Sequence, residues 1–189
     1  MKLALFTLLS LIPLCGKAQT PPKGFEHGYY TLADEPTVRH TGWVRIQPFA
    51  PSLQVQGEGK TITKYKPAQL VACGTDRVTY EVARDFLSGR MRIDAGFAER
   101  LDSGQVVLLH HSRISGTGAS AMIYLVRRST ETAVTVLDVF GNQFREQVLP
   151  FIASRPDLVQ AVQAKKVKYE DLYALIHALN TGQPYSLKK

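Results

Sequence analysis

From His40 to about Asp138, apolar and polar positions alternate in short runs. That period of two is the mark of strands with one covered face. Residues 41–47 alternate cleanly: Val44 and Ile46 fall on one face, and Thr41, Trp43, Arg45 and Gln47 on the other. Pro48 and Pro51 end that strand, because proline has no N–H to give to a ladder. Residues 53–56 and 61–65 flank Gly57-Glu58-Gly59, a hairpin signal. Val78, Tyr80 and Val82 alternate with Thr79, Glu81 and Ala83, and Met91 and Ile93 mark another short strand. Residues 105–111 and 119–128 hold the most apolar runs, Val106-Val107-Leu108-Leu109 and Met122-Ile123-Tyr124-Leu125-Val126. Both faces of these two are apolar, which predicts central or covered strands. Gly116-Thr117-Gly118 between them suits a turn needing positive φ. Residues 132–137 follow the turn Ser129-Thr130-Glu131 and complete a three-stranded meander.

After Asp138 the period lengthens. Phe144, Val148, Phe151 and Ile152 recur at helical spacing, and Pro156-Asp157 opens a second short helix with Leu158, Val159 and Val162 apolar. Residues 169–180 give the strongest helix, with Leu172, Tyr173, Leu175, Ile176 and Leu179 on one face. Glu170 and Asp171 in its first turn suit the helix dipole, and Asn180-Thr181-Gly182 stops it. Each helix has one apolar face and needs a partner, which the sheet supplies. The expected fold is α+β in one domain, residues 28–189, mainly β over 28–138 and mainly α over 139–189. It would hold a curved antiparallel or barrel-like sheet of about seven or eight short strands, then two or three C-terminal helices.

Ahead of this domain, Lys2, an apolar run over residues 3–14 and Gly16-Lys17-Ala18 have the layout of a secretory signal peptide. The run is too short for a membrane-spanning helix, which needs about 20 residues, and no later segment is long and apolar enough. Cleavage is expected between Ala18 and Gln19, with residues 19–27 as a Pro- and Gly-containing tether. Cys15 could mark a lipoprotein signal, but the bulky Leu14 before it fits that peptidase poorly. The expected location is therefore periplasmic or secreted. Of the two cysteines only Cys73 survives cleavage, so no intramolecular disulfide forms. Its apolar setting, Leu70-Val71-Ala72-Cys73, reads as a buried small hydrophobe.

The net charge is +7, of which Lys2 and Lys17 leave with the leader. The remaining basic residues are spread along the chain, so charge alone points to mild attraction toward acidic polymer or anionic surfaces rather than to nucleic acid.

Motifs for chemistry are few. Gly116 to Ala121 matches a loose G-x-G-x-x-A, but a strand follows where a dinucleotide site needs a helix. His110-His111 lies near Ser112, Ser115 and Ser120, yet adjacent strand residues point to opposite faces, so the two histidines cannot share a site. His27, His40 and His177 have no metal-ligand spacing, and neither G-x-S-x-G nor H-E-x-x-H occurs. Arg127-Arg128 invites an anion. Hairpin pairing sets Arg127 near Gln105, where Glu99 or Asp102 is expected to pair with one of the arginines. No catalytic, cofactor-binding or metal-binding residue emerges.

Several segments carry a resemblance: Gly42-Trp43-Val44-Arg45-Ile46; Lys64-Tyr65-Lys66-Pro67-Ala68-Gln69-Leu70; Leu101-Asp102-Ser103-Gly104-Gln105 before an apolar strand; Leu149-Pro150-Phe151; Pro156-Asp157-Leu158; and the final helix. Across residues 25–182 the chain resembles a group of uncharacterised exported proteins of Bacteroidota bacteria, known as domains of unknown function. The resemblance implies a β-rich envelope domain capped by C-terminal helices, and no activity. That group often has Cys where Arg155 stands and closes its last helix with Tyr-Asn where this chain has Leu179-Asn180, which implies no strict role for those positions. The expected function is a non-enzymatic exported module that binds an envelope protein or an acidic surface polymer. Two alternatives are a hydrolase with a site near His110, His111 and Ser112, and a small-ligand carrier with Trp43 or several tyrosines facing an empty interior.

Overall fold

Ten antiparallel strands form one open sheet in the computed structural model, which describes residues 22–47, 50–57, 60–114, 120–138 and 143–186. The expected signal segment and its expected cut between Ala18 and Gln19, Cys15, and the expected Gly116-Thr117-Gly118 turn lie outside the described residues. In chain order the strands are β1 (Glu26–Leu32), β2 (His40–Gln47), β3 (Ser52–Gln56), β4 (Ile62–Tyr65), β5 (Leu70–Thr75), β6 (Thr79–Ser88), β7 (Met91–Asp102), β8 (Val106–Ile114), β9 (Ser120–Arg128) and β10 (Thr135–Leu137). They lie side by side as β10-β9-β8-β7-β6-β5-β1-β2-β3-β4. Three helices follow, α1 (Phe144–Ile152), α2 (Pro156–Gln163) and α3 (Leu172–Thr181).

The sheet thus has more strands than alternation alone predicts, and it does not close. β1 and β5 are the additions. Both carry a glycine, Gly28 and Gly74, that interrupts the apolar-polar rhythm. Those glycines are there for space: a Cβ on Gly28 would collide with the Gly74 carbonyl oxygen and with Val44 Cγ2. β6 and β7 are also long, pairing from Tyr80–Glu99 out to Ser88–Met91.

Register divides the side chains between two faces, and the two halves of the sheet curl toward opposite ones. The N-terminal half closes over the face bearing Val44, Leu53, Leu70, Cys73 and Phe97, with Tyr30, Tyr65 and Tyr80 packed at its margin. A 3-10 turn, Pro67–Gln69, comes back against β7 there. The C-terminal half closes over the other face, on Ala83, Ala98, Val107, Leu109 and Leu125, and brings β10 against β6. Strict alternation would keep Phe86 on the opposite side from Ala83. Asp85, at φ 51, breaks the alternation and lets Phe86 and Ile93 join this second core.

The helices cover the outer side of the C-terminal half. Phe144, Val148 and Ile152 of α1, Leu158 and Val162 of α2, and Leu172, Leu175, Ile176 and Leu179 of α3 pack on Val106, Leu108, Val126 and Leu137. Two polar latches fix them. The Asn180 amide accepts from Val106 N (3.1 Å) and donates to Val106 O (2.8 Å), copying a strand partner. It sits on Gly104, where a Cβ would lie 2.6 Å from the amide. Arg155 donates to Ala178 O (3.0 Å) and Gln183 O (3.2 Å) and pairs with Asp157 (2.7 Å), closing the end of α3. Arg155 and Asn180 therefore each have a structural task. Among the described residues, no helix is long and apolar enough to cross a membrane.

Candidate functional site

The histidine pair is split as alternation requires. His111 is buried in the C-terminal core, with Nδ1 2.8 Å from Phe97 O and its ring edge-on to Phe86 at 5.0 Å. His110 points to the other face, the face that carries Ser112, and stands opposite Glu99 on β7 and Tyr124 on β9. The three residues of the hydrolase alternative are not brought together.

His110 instead belongs to a row assembled from seven strands. Tyr124, His110, Glu99, Tyr80, Cys73, Tyr30 and His40 are successive cross-strand partners on one face. Their rings touch in pairs: His110 and Tyr124 at 5.5 Å, and Tyr30 stacked on His40 at 5.0 Å. No short motif announces such a row, because its members are scattered over the β region and only register unites them. Burial pushes the His110 imidazole below its ordinary range, against the pull of the Glu99 carboxylate. Tyr80 is raised, first by burial and then by Glu99 and Cys73, and Tyr124 is raised by burial and by Glu170. Burial drives the Cys73 thiol up to about 12. A thiol so placed stays protonated at neutral pH and is a poor nucleophile. The row supplies an imidazole beside a carboxylate, but no activated nucleophile. Among the described residues, no group of three His, Cys, Asp or Glu side chains is placed to hold a metal ion.

Cys73 is fully buried, and one prediction follows from that. In a protein starting at Gln19, where Cys73 is the sole thiol, iodoacetamide at mildly alkaline pH should leave the native protein unmodified and label it fully in guanidinium. Native labelling at the rate of a free thiol would contradict this placement.

The arginine pair behaves differently from the sequence expectation. Arg127 sits opposite Val107, two residues from the predicted register with Gln105, and faces the C-terminal core side. Glu99 faces the other way, so it cannot reach Arg127. Glu81, on the same face as Arg127, pairs with it at 2.8 Å and with Arg100 at 2.6 Å. Arg127 also donates to Glu131 O at 2.9 Å, tying down the turn after β9. Arg128 pairs with Glu131 (3.4 Å) and donates to Pro150 O (2.9 Å), while Asp102 turns to His177 (3.1 Å). Beside Arg127 lies an open cleft of about 740 Å³, walled by Val71, Glu81, Arg84, Leu109 and Val134. Arg84 donates to Ala68 O and Leu70 O, so the arginines of this cleft are already engaged.

The outer face of the N-terminal half is polar and aromatic. Trp43 shares it with Thr41, Arg45 and Gln47, as alternation predicts. Trp43 is partly exposed and meets His27 edge-on at 5.8 Å. It therefore faces outward, and the interior beneath it is filled by Val44, Leu53 and Phe97. Neither Trp43 nor the tyrosines at the core margin line an empty interior of the kind the carrier alternative requires. Beyond Trp43 the face runs to β4, the last strand of the sheet. Ile62, Thr63 and Lys64 of β4 are exposed, with Lys60 and Lys66 exposed on either side. The opposite edge is sheltered: Leu137 of β10 is buried against α1, and Asp138 N donates to Gln147 Oε1 at 2.7 Å.

Comparison with known proteins returns no match, whether with family models, with curated proteins or with solved structures.

Proposed function

We propose that the protein is an exported, non-enzymatic module that binds an acidic surface polymer along the β4 side of its sheet. One observation carries this reading. β4 has no strand partner on its outer side among the described residues, and Lys60, Lys64 and Lys66 stand exposed along it. Lys168 is the one lysine in an ion pair among the described residues, so these three ammonium groups are available. A lysine on an edge strand discourages strand-to-strand aggregation. Three lysines on one edge also present a local positive field to a polyanion. The leader before Ala18 supports export. The placement of His111 on the face opposite His110 and Ser112, and the buried Cys73 thiol, support binding rather than turnover.

The test is retention on immobilised polygalacturonate across a salt series. Wild-type protein should be held at low ionic strength and released as salt shortens the screening length toward about 8 Å near physiological strength. A variant combining Lys60→Gln, Lys64→Gln and Lys66→Gln should pass through unretained while melting at the wild-type temperature. Wild-type protein that is not retained in low salt, or a triple variant retained like wild type, overturns the reading.

A further inference from the structure

We infer that the outer face of β1–β4 holds a sugar-stacking subsite centred on Trp43, and that the acidic polymer is a uronate-containing glycan. The inference rests on the reading that a surface polymer is the ligand, and it names the chemistry of that polymer. Trp43 is the chain's single tryptophan and belongs to none of the three cores. The ring lies on the solvent side of the sheet, partly exposed, and its orientation is fixed. Strand pairing holds its backbone between His27 and Gln56, and the His27 ring meets it at an interplanar angle of 89°. An aromatic surface held in place before its ligand arrives loses little entropy on binding.

The surroundings are those a pyranose needs. A shallow cleft of about 260 Å³ opens beside the Trp43 ring, lined by Glu26, His27, Asp76 and Arg77. The Glu26, Asp76 and Arg77 side chains form no ion pair among the described residues, so their oxygens and guanidinium are free to meet hydroxyls and a carboxylate. The aromatic face would take the C–H-rich side of the sugar ring, and the polar groups would take its rim. A track then leads away from the cleft. His27, Trp43, Gln56 and Ile62 are successive cross-strand partners, so the row runs from the cleft to the β4 edge. Trp43 and Ile62 are two strand spacings apart, roughly 10 Å. A glycan stacked on Trp43 therefore extends toward Lys60 and Lys64, where uronate carboxylates find cations.

The single tryptophan makes the site its own reporter. Titration with trigalacturonate should change Trp43 emission saturably, and neutral cellotriose should bind more weakly because it lacks the carboxylates. Trp43→Ala should weaken retention on polygalacturonate about tenfold or more, as loss of an aromatic anchor does. Trp43→Phe should keep part of the binding. Melting temperatures of both variants, matched to wild type, show that the fold is intact. If wild type binds polygalacturonate but its Trp43 emission is unmoved and Trp43→Ala binds equally well, this subsite is refuted while the β4 reading stands. If wild type binds no polymer, both fall together.

Discussion

Replacing Phe97 with Ala should destabilise the protein by about 3–5 kcal/mol, the range for truncating a buried aromatic. Phe97 is 2% exposed and projects from β7 into the N-terminal core, among Val44, Leu53, Leu70 and Cys73. Its ring lies 6.2 Å from that of Tyr80 on the neighbouring strand. β7 is where the sheet changes its direction of curl, so Phe97 fills one core while its carbonyl accepts from His111 in the other. The surrounding strands are held by pairing on both sides, which limits how far they can collapse into the space left behind. Urea unfolding followed by Trp43 fluorescence and by far-ultraviolet circular dichroism checks the value, since a lower midpoint at unchanged slope isolates a stability change. A loss below about 1 kcal/mol would mean that this site is not the packed junction described.

Part of this architecture is legible in the sequence, and the rest has identifiable reasons for being hidden. Residues 41–47 declare their faces because each alternate position is plainly apolar or polar, and the structure keeps Trp43, Arg45 and Gln47 outside. The final helix declares itself because Leu172, Leu175, Ile176 and Leu179 form an unbroken stripe, while Tyr173, expected on the same face, is exposed because it lies off that stripe. Alternation also separates His110 from His111 correctly. It fails at β1 and β5, where Gly28 and Gly74 exist to let strands approach closely and so erase the pattern. It fails again at Asp85, whose left-handed backbone reverses which side Phe86 occupies. The open sheet cannot be read from spacing, because nothing local states that one half curls over one face and the other half over the opposite face. The Tyr124-to-His40 row and the track from His27 to Ile62 are hidden for the same reason. Each depends on which residue of a distant strand lies opposite, and that register is set by the whole sheet.

The arginine pairing shows how far one parity step reaches, and it leads to the second large expected effect. Glu99 is close to Arg127 in strand order but faces away from it, so the partner comes from Glu81, one strand further on. Glu81 has a side-chain exposure of 13% and Arg127 17%, so both charges lie largely out of water. Arg100, at 39%, closes the other side of the carboxylate. Glu81→Ala should cost about 3 kcal/mol, because removing one partner of a largely buried pair leaves the remaining charge uncompensated. Arg127 would keep only its carbonyl partners at Arg128, Ser129 and Glu131, which accept its N–H groups but do not neutralise it. The turn after β9 should then loosen, seen as faster amide exchange over residues 129–134 while β8 remains protected. A double-mutant cycle of Glu81→Ala with Arg127→Ala should recover a favourable coupling of about 1–3 kcal/mol, as expected for residues in one ionic network. Coupling near zero would mean that Arg127 orders the turn through its carbonyl bonds alone and that Glu81 is a bystander.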